Sequence, residues 1–532
     1  MKKWINIVLI FTCLVLPVLF VGCKAQTKGI GEPINFTGYP MDAEGWTVSW
    51  WVGFGFIPNN VYANANESPF HQWLQEHLGV KIDWRIPIRG SESDEFPLIL
   101  ASGDFPDLMY GPMMRDAERL IDEGVLRDLT PYIEKWSPNF WAWIQSNPEY
   151  DRAVKTDSGR YYCYPIFREA GGWNGTYLGP VINKTWLDET GLPMPVTLSD
   201  WDKTIRVFNE RYGAVFSFAI NQMAWYATGI SGAFGAYAFT DYRLYRDKND
   251  RMQLANIQPE YREMLMQFNR WWEDGLLDQN FFNTNDIIAR SNALNLRKGI
   301  SFTSMGNLTN WRMDAENQNT GANWIGLQYP TGDDGTLVQV SGGFGVFSTA
   351  AFITTAVCDE KLELAMRILD YGYSPEGHLF WNFGKKGVSW DFDEHGNPAF
   401  LPLVLDDPNG RNDAVSKYTG TSWSGPAVQA TAMITLKNSP EAVAANDLWF
   451  YPNEPITSAD KMPVGLTFTE EESVRLRELG TVQTYVNESV LLFVIGRLGF
   501  ENWETYVERA NALGAQEIIS IYQAAYDRYL AR

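Results

Sequence analysis

The stretch GRYYCYPIFREAGGWNGTYLGPVINKTWLDETG, residues 159–191, limits what this chain can fold into more than any other. Residues 161–167 read as a strand, Gly171 and Gly172 interrupt it, residues 177–183 read as a second strand, and a helix starts at Thr185. A chain that leaves one sheet through two glycines and enters another almost without a linker forms a hinge between two lobes. Hinges of this kind belong to proteins that close around a ligand.

Length agrees with more than one lobe. At 532 residues the chain is well past the size at which a single hydrophobic core stops growing, so two or three cores are expected. A formal net charge of −21 with no clustered Lys or Arg sets nucleic acid aside as a partner, because phosphate neutralisation needs such clusters. The 22 Trp, 25 Tyr and 30 Phe are enough to fill cores and still line a cleft, where an indole stacks on a sugar ring while its N–H donates a hydrogen bond. Four cysteines are too few for a disulfide framework, and His71, His77, His378 and His395 lack metal-ligand spacing, so no metal and no cofactor are expected. Cys163 and Cys358 read as two buried thiols, although a disulfide between them is permitted outside the cell.

Residues 1–22 carry Lys2 and Lys3, then an apolar run to Val21, and read as a signal peptide. Phe20-Val21-Gly22-Cys23 resembles a bacterial lipobox, in which Cys23 is lipidated and becomes the mature N-terminus. An uncleaved anchor helix is the alternative, since about 18 apolar residues borders on spanning length. Either way the globular part lies outside the cytoplasm, with the membrane reached only through the anchor. Residues 23–44, with Gly29, Gly31, Pro33, Gly38 and Pro40, have the composition of a flexible tether.

From Trp46 onward short strands and helices alternate: strands at 47–54, 80–86 and 108–110, helices at 68–78 and 95–102. That order predicts an α/β fold with a mainly parallel sheet covered by helices on both faces. Ligands in such sheets sit at the carboxyl ends of strands, which points to Trp50, Trp51, Tyr110 and Gly111. Thr197 to Asp200 form a capped start for a helix at 201–211, and a second helix covers 260–274. Residues 297–306 read as a strand, 336–348 as a second crossing between lobes, 362–371 as a helix, and 388–400 as a third crossing.

LASGDFPDLMYGP (100–112), GVLRDLTPYIEKWSPNF (124–140), SGRYYCYPIF (158–167) and GPVINKTWLDETGLPMPVTLSDWDKTIRVF (179–208) resemble the extracellular solute-binding proteins of family 1. The similarity continues in PEYREMLMQFNRWWEDGLLDQNFF (259–282), SPEGHLFWNFGKKGVSWDFDEHGNP (374–398) and ENWETYVERANALGAQEIISIYQAAYDRY (501–529). These are lipoproteins of ABC importers for oligosaccharides, distantly related to maltose-binding protein. The resemblance implies a two-lobed periplasmic-binding-protein type II fold, each lobe a mainly parallel sheet with flanking helices, joined by a multi-strand hinge. It divides the chain into a first lobe of 45–168 plus 340–390 and a second of 169–339 plus 391–532. It also implies an oligosaccharide ligand, permease subunits as partners, a monomer, and no catalysis.

Among candidate ligand contacts, the resemblance supplies Glu169 as a carboxylate for sugar hydroxyls, Trp225 with its neighbour Tyr226, and Trp311 near Asn307. For Glu169 a structural pair with Arg168 is the alternative. Trp173 and Trp423 are added for their neighbouring glycines and loop position. Trp271-Trp272, on a helix, reads as packing. Residues 391–397 imitate the front of a calcium loop, but Pro402 stands where the twelfth-position acid belongs, so this is a turn between strands. Gly229-Ile230-Ser231-Gly232 ends in Ala233 and is no nucleophile elbow. The competing class is a secreted, carboxylate-dependent glycoside hydrolase or lyase, which needs two carboxylates about 5 to 10 Å apart across a cleft. An adhesin predicts no deep cleft.

Overall fold

The computed structural model describes residues 36, 38–53, 62, 65–87, 91–169, 178–217, 228–238, 242–338, 345–420, 425–449 and 462–532. Among them thirteen strands form four sheets. In chain order these are β1 (Thr47–Val52), β2 (Lys81–Arg85), β3 (Leu108–Pro112), β4 (Tyr164–Arg168), β5 (Leu178–Asn183), β6 (Leu244–Arg246) and β7 (Met252–Leu254). They continue with β8 (Ile300–Ser304), β9 (Trp324–Gly326), β10 (Val346–Ile353), β11 (Trp390–Phe392), β12 (Pro398–Phe400) and β13 (Ala427–Gln429).

The large sheet has the order β13-β4-β10-β3-β1-β2. All its strands run parallel except β10, which is antiparallel to both β3 and β4. Strands covered on both faces need apolar residues at every position, and LMYGP in β3 is buried as far as Gly111. The edge strand β2 alternates instead, with Lys81, Asp83 and Arg85 exposed, which guards an unpaired edge. Its core joins Trp50, Leu108, Tyr110, Phe140, Tyr164 and Phe352.

A second core surrounds the small sheet β8-β5-β9. Both pairings of its central strand β5 are antiparallel, so the expected mainly parallel sheet is found only in the first body. The helix Pro440–Trp449 lies directly on this sheet because two positions lack a side chain. A Cβ at Gly179 would fall 2.3 Å from the Trp449 ring, and one at Gly326 2.4 Å from the Ala445 Cβ. The Trp449 indole N–H donates to Pro180 O at 2.9 Å. The capped start at Thr197 is present as a reciprocal pair, Thr197 Oγ1 accepting from the Asp200 N–H and Asp200 Oδ2 from the Thr197 N–H.

The chain passes between the two cores from β4 to β5, from β9 to β10, and from β13 through the helix Thr431–Lys437 to Pro440–Trp449. The third passage differs from the sequence expectation. Residues 388–400 hold the hairpin β11–β12, packed in a small core with Phe383, Val404 and Met433, and β13 then pairs with β4 in the large sheet. Part of the 391–532 segment therefore belongs with the first body, because three residues of a strand are not legible in a loop-rich stretch. Cys163 is buried and Cys358 half-buried, and no disulfide joins them.

The end of the helix Ala515–Leu530 returns to the first body. Arg528 and Arg532 meet Asp157 at 2.8 and 2.7 Å, and Arg532 also donates to the carbonyls of Arg152, Lys155 and Gly465. Nearby, Arg115 donates to Tyr522 Oη at 2.7 Å, and the Phe468 N–H to Arg115 O at 2.7 Å. Burial alone would raise the Asp157 carboxyl, but hydrogen bonds and charge from Arg528 and Arg532 outweigh it and hold it below its ordinary value of 3.8. A carboxyl lowered by folding stabilises the fold at pH above its unfolded value and ceases to do so as pH falls through its folded one. The Arg532 side chain is 0% exposed and Asp157 24%, so Asp157→Ala leaves a buried guanidinium short of its counter-charge. The expected loss is about 2 kcal/mol at pH 7, below the range for fully buried pairs, read as a lower thermal midpoint. Asp157→Asn should flatten the acid limb of the stability profile, and an unchanged limb would show that this contact does not tie the bodies together.

Candidate functional site

Because β10 runs against its neighbours, its first residue lies on the same edge of the large sheet as the last residues of the parallel strands. Val52, Pro112, Arg168 and Gln429 end there, and Val346 begins there. The three passages described above start or finish on this edge. On the far side, Leu178 at the start of β5 pairs with Ser304 at the end of β8. These two edges frame the candidate site.

Glu169 follows β4 on this edge. Its N–H donates to Gln429 O at 3.2 Å, continuing the β4–β13 ladder by one bond. Its carboxylate is gripped from two sides: Oε2 accepts from the Thr431 N–H at 2.9 Å, and Oε1 lies 3.2 Å from His378 Nε2. The hydrogen bond from His378 is the largest influence on its titration. Together with the Thr431 amide it outweighs the effect of burial and holds the carboxyl below the usual Glu range. Glu169 is thus ionised at neutral pH, with its side chain 38% exposed. The alternative pairing with Arg168 is not formed in this way: the Arg168 guanidinium lies 4.6 Å over the Phe347 ring.

The residues behind this grip were not singled out by sequence reasoning. His378 and Asn382 lie one turn apart on the helix Pro375–Phe383, which Ser374 caps through its Oγ and the Gly377 N–H. Gly377 is required there, since a Cβ would stand 1.8 Å from Tyr371 O. The one available signal was His378 itself, within a quoted segment and without metal spacing.

Of the aromatic candidates, four belong to the cores. Trp50, Trp51, Tyr110 and Trp311 are 2%, 1%, 0% and 2% exposed. Trp50 stacks on Trp84 at 5.1 Å, and Tyr110 shares a 2.8 Å hydrogen bond with Thr349. Trp311 packs edge-on against Trp324, with Lys298 Nζ 4.2 Å above its ring. Consecutive residues of β1 point to opposite faces, and helices cover both faces, so neither Trp50 nor Trp51 reaches the cleft with its ring face. Trp51 alone borders open space, a groove of about 640 Å³ lined by Trp84, Arg85, Ile86, Glu95 and Leu98, but its indole N–H is committed to Glu95 Oε1 at 2.8 Å. A Cβ at Gly53 would clash with the Trp51 ring at 1.8 Å, which places that glycine hard against the indole.

Asn307 is half-buried in the first turn of the helix Met305–Asn317, beside the edge where β8 ends. Gly111 is buried beneath Phe96. Trp173, Trp225, Tyr226, Trp423 and Cys23 lie outside the described residues. The segment 391–397 is the expected turn, with Asp393 Oδ1 accepting from the His395 and Asn397 N–H groups. Among the described residues no group of three His, Cys, Asp or Glu is arranged to hold a metal ion, and no helix is long and apolar enough to cross a membrane.

Comparison with known proteins agrees with this architecture. Residues 61–285 match the model of the bacterial extracellular solute-binding proteins. The fructooligosaccharide ABC transporter substrate-binding protein FusA of Streptococcus pneumoniae is 24% identical over 496 residues, covering 88% of each chain. Lipoprotein LipO of Bacillus subtilis is 21% identical over 229 residues, 41% of this chain and 43% of LipO. Among solved structures, the calcium-free alginate-binding protein AlgQ2 superposes with a TM-score of 0.75 at 19% identity, over 93% of this chain and 100% of that one. FusA in complex with kestose gives 0.73 at 20% identity, over 91% and 100%. With a mixed sheet on one side of a shared edge and a second body on the other, the chain has a fold of the periplasmic-binding-protein type and, over residues 61–285, is similar to the bacterial extracellular solute-binding proteins.

Proposed function

We propose that this chain captures an oligosaccharide between its two lobes and delivers it to the permease subunits of an ABC importer. The observation that carries the reading is the Glu169 carboxylate, ionised and partly exposed on the edge that the two bodies share. An ionised carboxylate offers about four lone-pair positions, of which His378 and Thr431 occupy two, so sugar hydroxyls can take the others as charge-assisted bonds. FusA, named for fructooligosaccharides, and AlgQ2, named for alginate, support a saccharide as the ligand class. Asn307 supplies a polar group from the second lobe, and Trp173, Trp225, Tyr226 and Trp423 supply stacking rings.

The first lobe comprises 45–168 and 340–390, with Ala427–Gln429 added as a strand, and the second comprises the remainder of the globular part. Ligand shifts the open and closed populations only by its differential affinity for the closed form. The protein acts as a monomer, without catalysis or cofactor, anchored outside the cytoplasm by a lipid on Cys23. Against the hydrolase alternative, the relative matched over most of the chain, FusA, is named as a transporter substrate-binding protein.

A thermal-shift screen of residues 24–532 against kestose, nystose and alginate oligosaccharides tests the ligand class. A sugar at 100 times its dissociation constant should stabilise the protein by about 2.7 kcal/mol. No shift with any saccharide would overturn the reading, and hydrolysis products in the same wells would replace it with the enzyme. Glu169→Gln halves the acceptor capacity and removes the charge, so affinity for the stabilising sugar should fall about tenfold or more by calorimetry. Lowering the pH should weaken wild-type binding as Glu169 protonates, below the ordinary Glu value of 4.5 because its folded value is depressed. Cys23→Ala should move the full-length chain from the membrane fraction to the soluble fraction of the expressing cells.

A further inference from the structure

Glu169 closes a ring of hydrogen bonds that joins two of the three passages between the bodies. Its carboxylate accepts from the N–H of Thr431, the first residue of the helix that carries the third passage, while Glu169 itself begins the first. Between them stands the helix Pro375–Phe383. Asn382 on this helix donates to Val428 O at 2.8 Å and accepts from the Ala430 N–H at 2.8 Å, which fixes the end of β13. One turn earlier on the same face, His378 has Nδ1 3.1 Å from Val428 O and Nε2 3.2 Å from Glu169 Oε1. Nε2 thus faces the carboxylate while Nδ1 lies between Val428 O and the Asn382 Nδ2 amide at 3.4 Å, so the imidazole links the strand end to the carboxylate.

We propose that His378 is a positioning residue for ligand capture: it holds the Glu169 carboxylate in one rotamer, against the Thr431 amide, so that the acceptor and two of the hinge passages are set before a ligand arrives. The physical gain is in ordering. A free Glu side chain loses considerable rotamer entropy when a ligand fixes it, and a carboxylate already held on both oxygens loses little. The bracket also gives a ligand on Glu169 a direct mechanical path to the third passage, through one bond to Thr431. This inference rests on the reading that Glu169 receives the sugar, but the ring of bonds can be tested without any ligand.

The test uses the mature chain in two arms. In the first, hydrogen exchange of the peptide spanning residues 427–437 is followed without ligand. His378→Leu and Glu169→Ala should each raise exchange there at least fivefold, while His378→Gln, whose amide can donate to Oε1, should stay within about twofold of wild type. In the second, kestose affinity is measured by calorimetry. His378→Leu should weaken it about tenfold, His378→Gln less than threefold, and His378→Leu combined with Glu169→Ala no more than Glu169→Ala alone. Wild-type exchange in His378→Leu overturns the bracket, as does failure of His378→Gln to restore what His378→Leu loses. Multiplicative losses in the double variant overturn the positioning role. If Glu169→Ala leaves kestose affinity untouched while the exchange arm responds as expected, the sugar-acceptor reading fails and the bracket stands as a hinge element.

Discussion

A single antiparallel strand governs where everything else in this molecule can be. Parallel strands all end on one edge of their sheet, and a chain returning from elsewhere would ordinarily enter at the opposite edge. Because β10 runs backwards between β3 and β4, it enters on the edge where its neighbours finish. The departures of β4 and β13 and the arrival of β10 therefore share one seam. Several chain passages at one seam permit bending about it and oppose free rotation, which is the mechanical requirement for closing on a ligand.

The polar groups at that seam follow from the same geometry. Where β4 and β13 end side by side, their last backbone groups lose ladder partners and must find others. Asn382 takes the groups of Val428 and Ala430, and Glu169 takes the Thr431 N–H. A carboxylate recruited to satisfy a strand end is thereby left ionised and partly exposed. Away from the seam the two bodies meet a second time, through Arg528, Arg532 and Asp157. An acidic chain thus spends two of its arginines on one carboxylate at an internal contact, where burial makes the pairing matter more than on the surface.

Tryptophan shows why composition and position carry different information. An abundance of aromatic rings is visible in the sequence, and so is the match between such rings and a sugar face. Which rings face solvent is not. Trp50 and Trp51 sit beside glycines at the end of a strand, the place where a binding residue is expected, yet a sheet covered on both faces buries alternate side chains equally. Trp311 follows the end of β8 by two helical turns, and helical periodicity turns it inward onto Trp324. Glycines carry information of a different kind: Gly179 and Gly326 mark the close approach of a helix, a meaning that appears only once its partner, more than 100 residues away along the chain, is known.

The sequence by itself determined the alternation of strands and helices as far as residue 110, the capping box at Thr197, the turn at 391–397 and the acceptor chemistry of Glu169. These are local: periodicity, capping and turn chemistry act over a few residues, and a charge can be read from one. The tertiary structure alone decided that β13 joins the large sheet, that the small sheet is antiparallel, that four candidate aromatics belong to the cores, and that His378 holds the carboxylate. Each of these depends on contacts between residues more than 100 apart in the chain or on which face of an element is covered. Burial and pairing are properties of the assembled layers, and no local pattern encodes them.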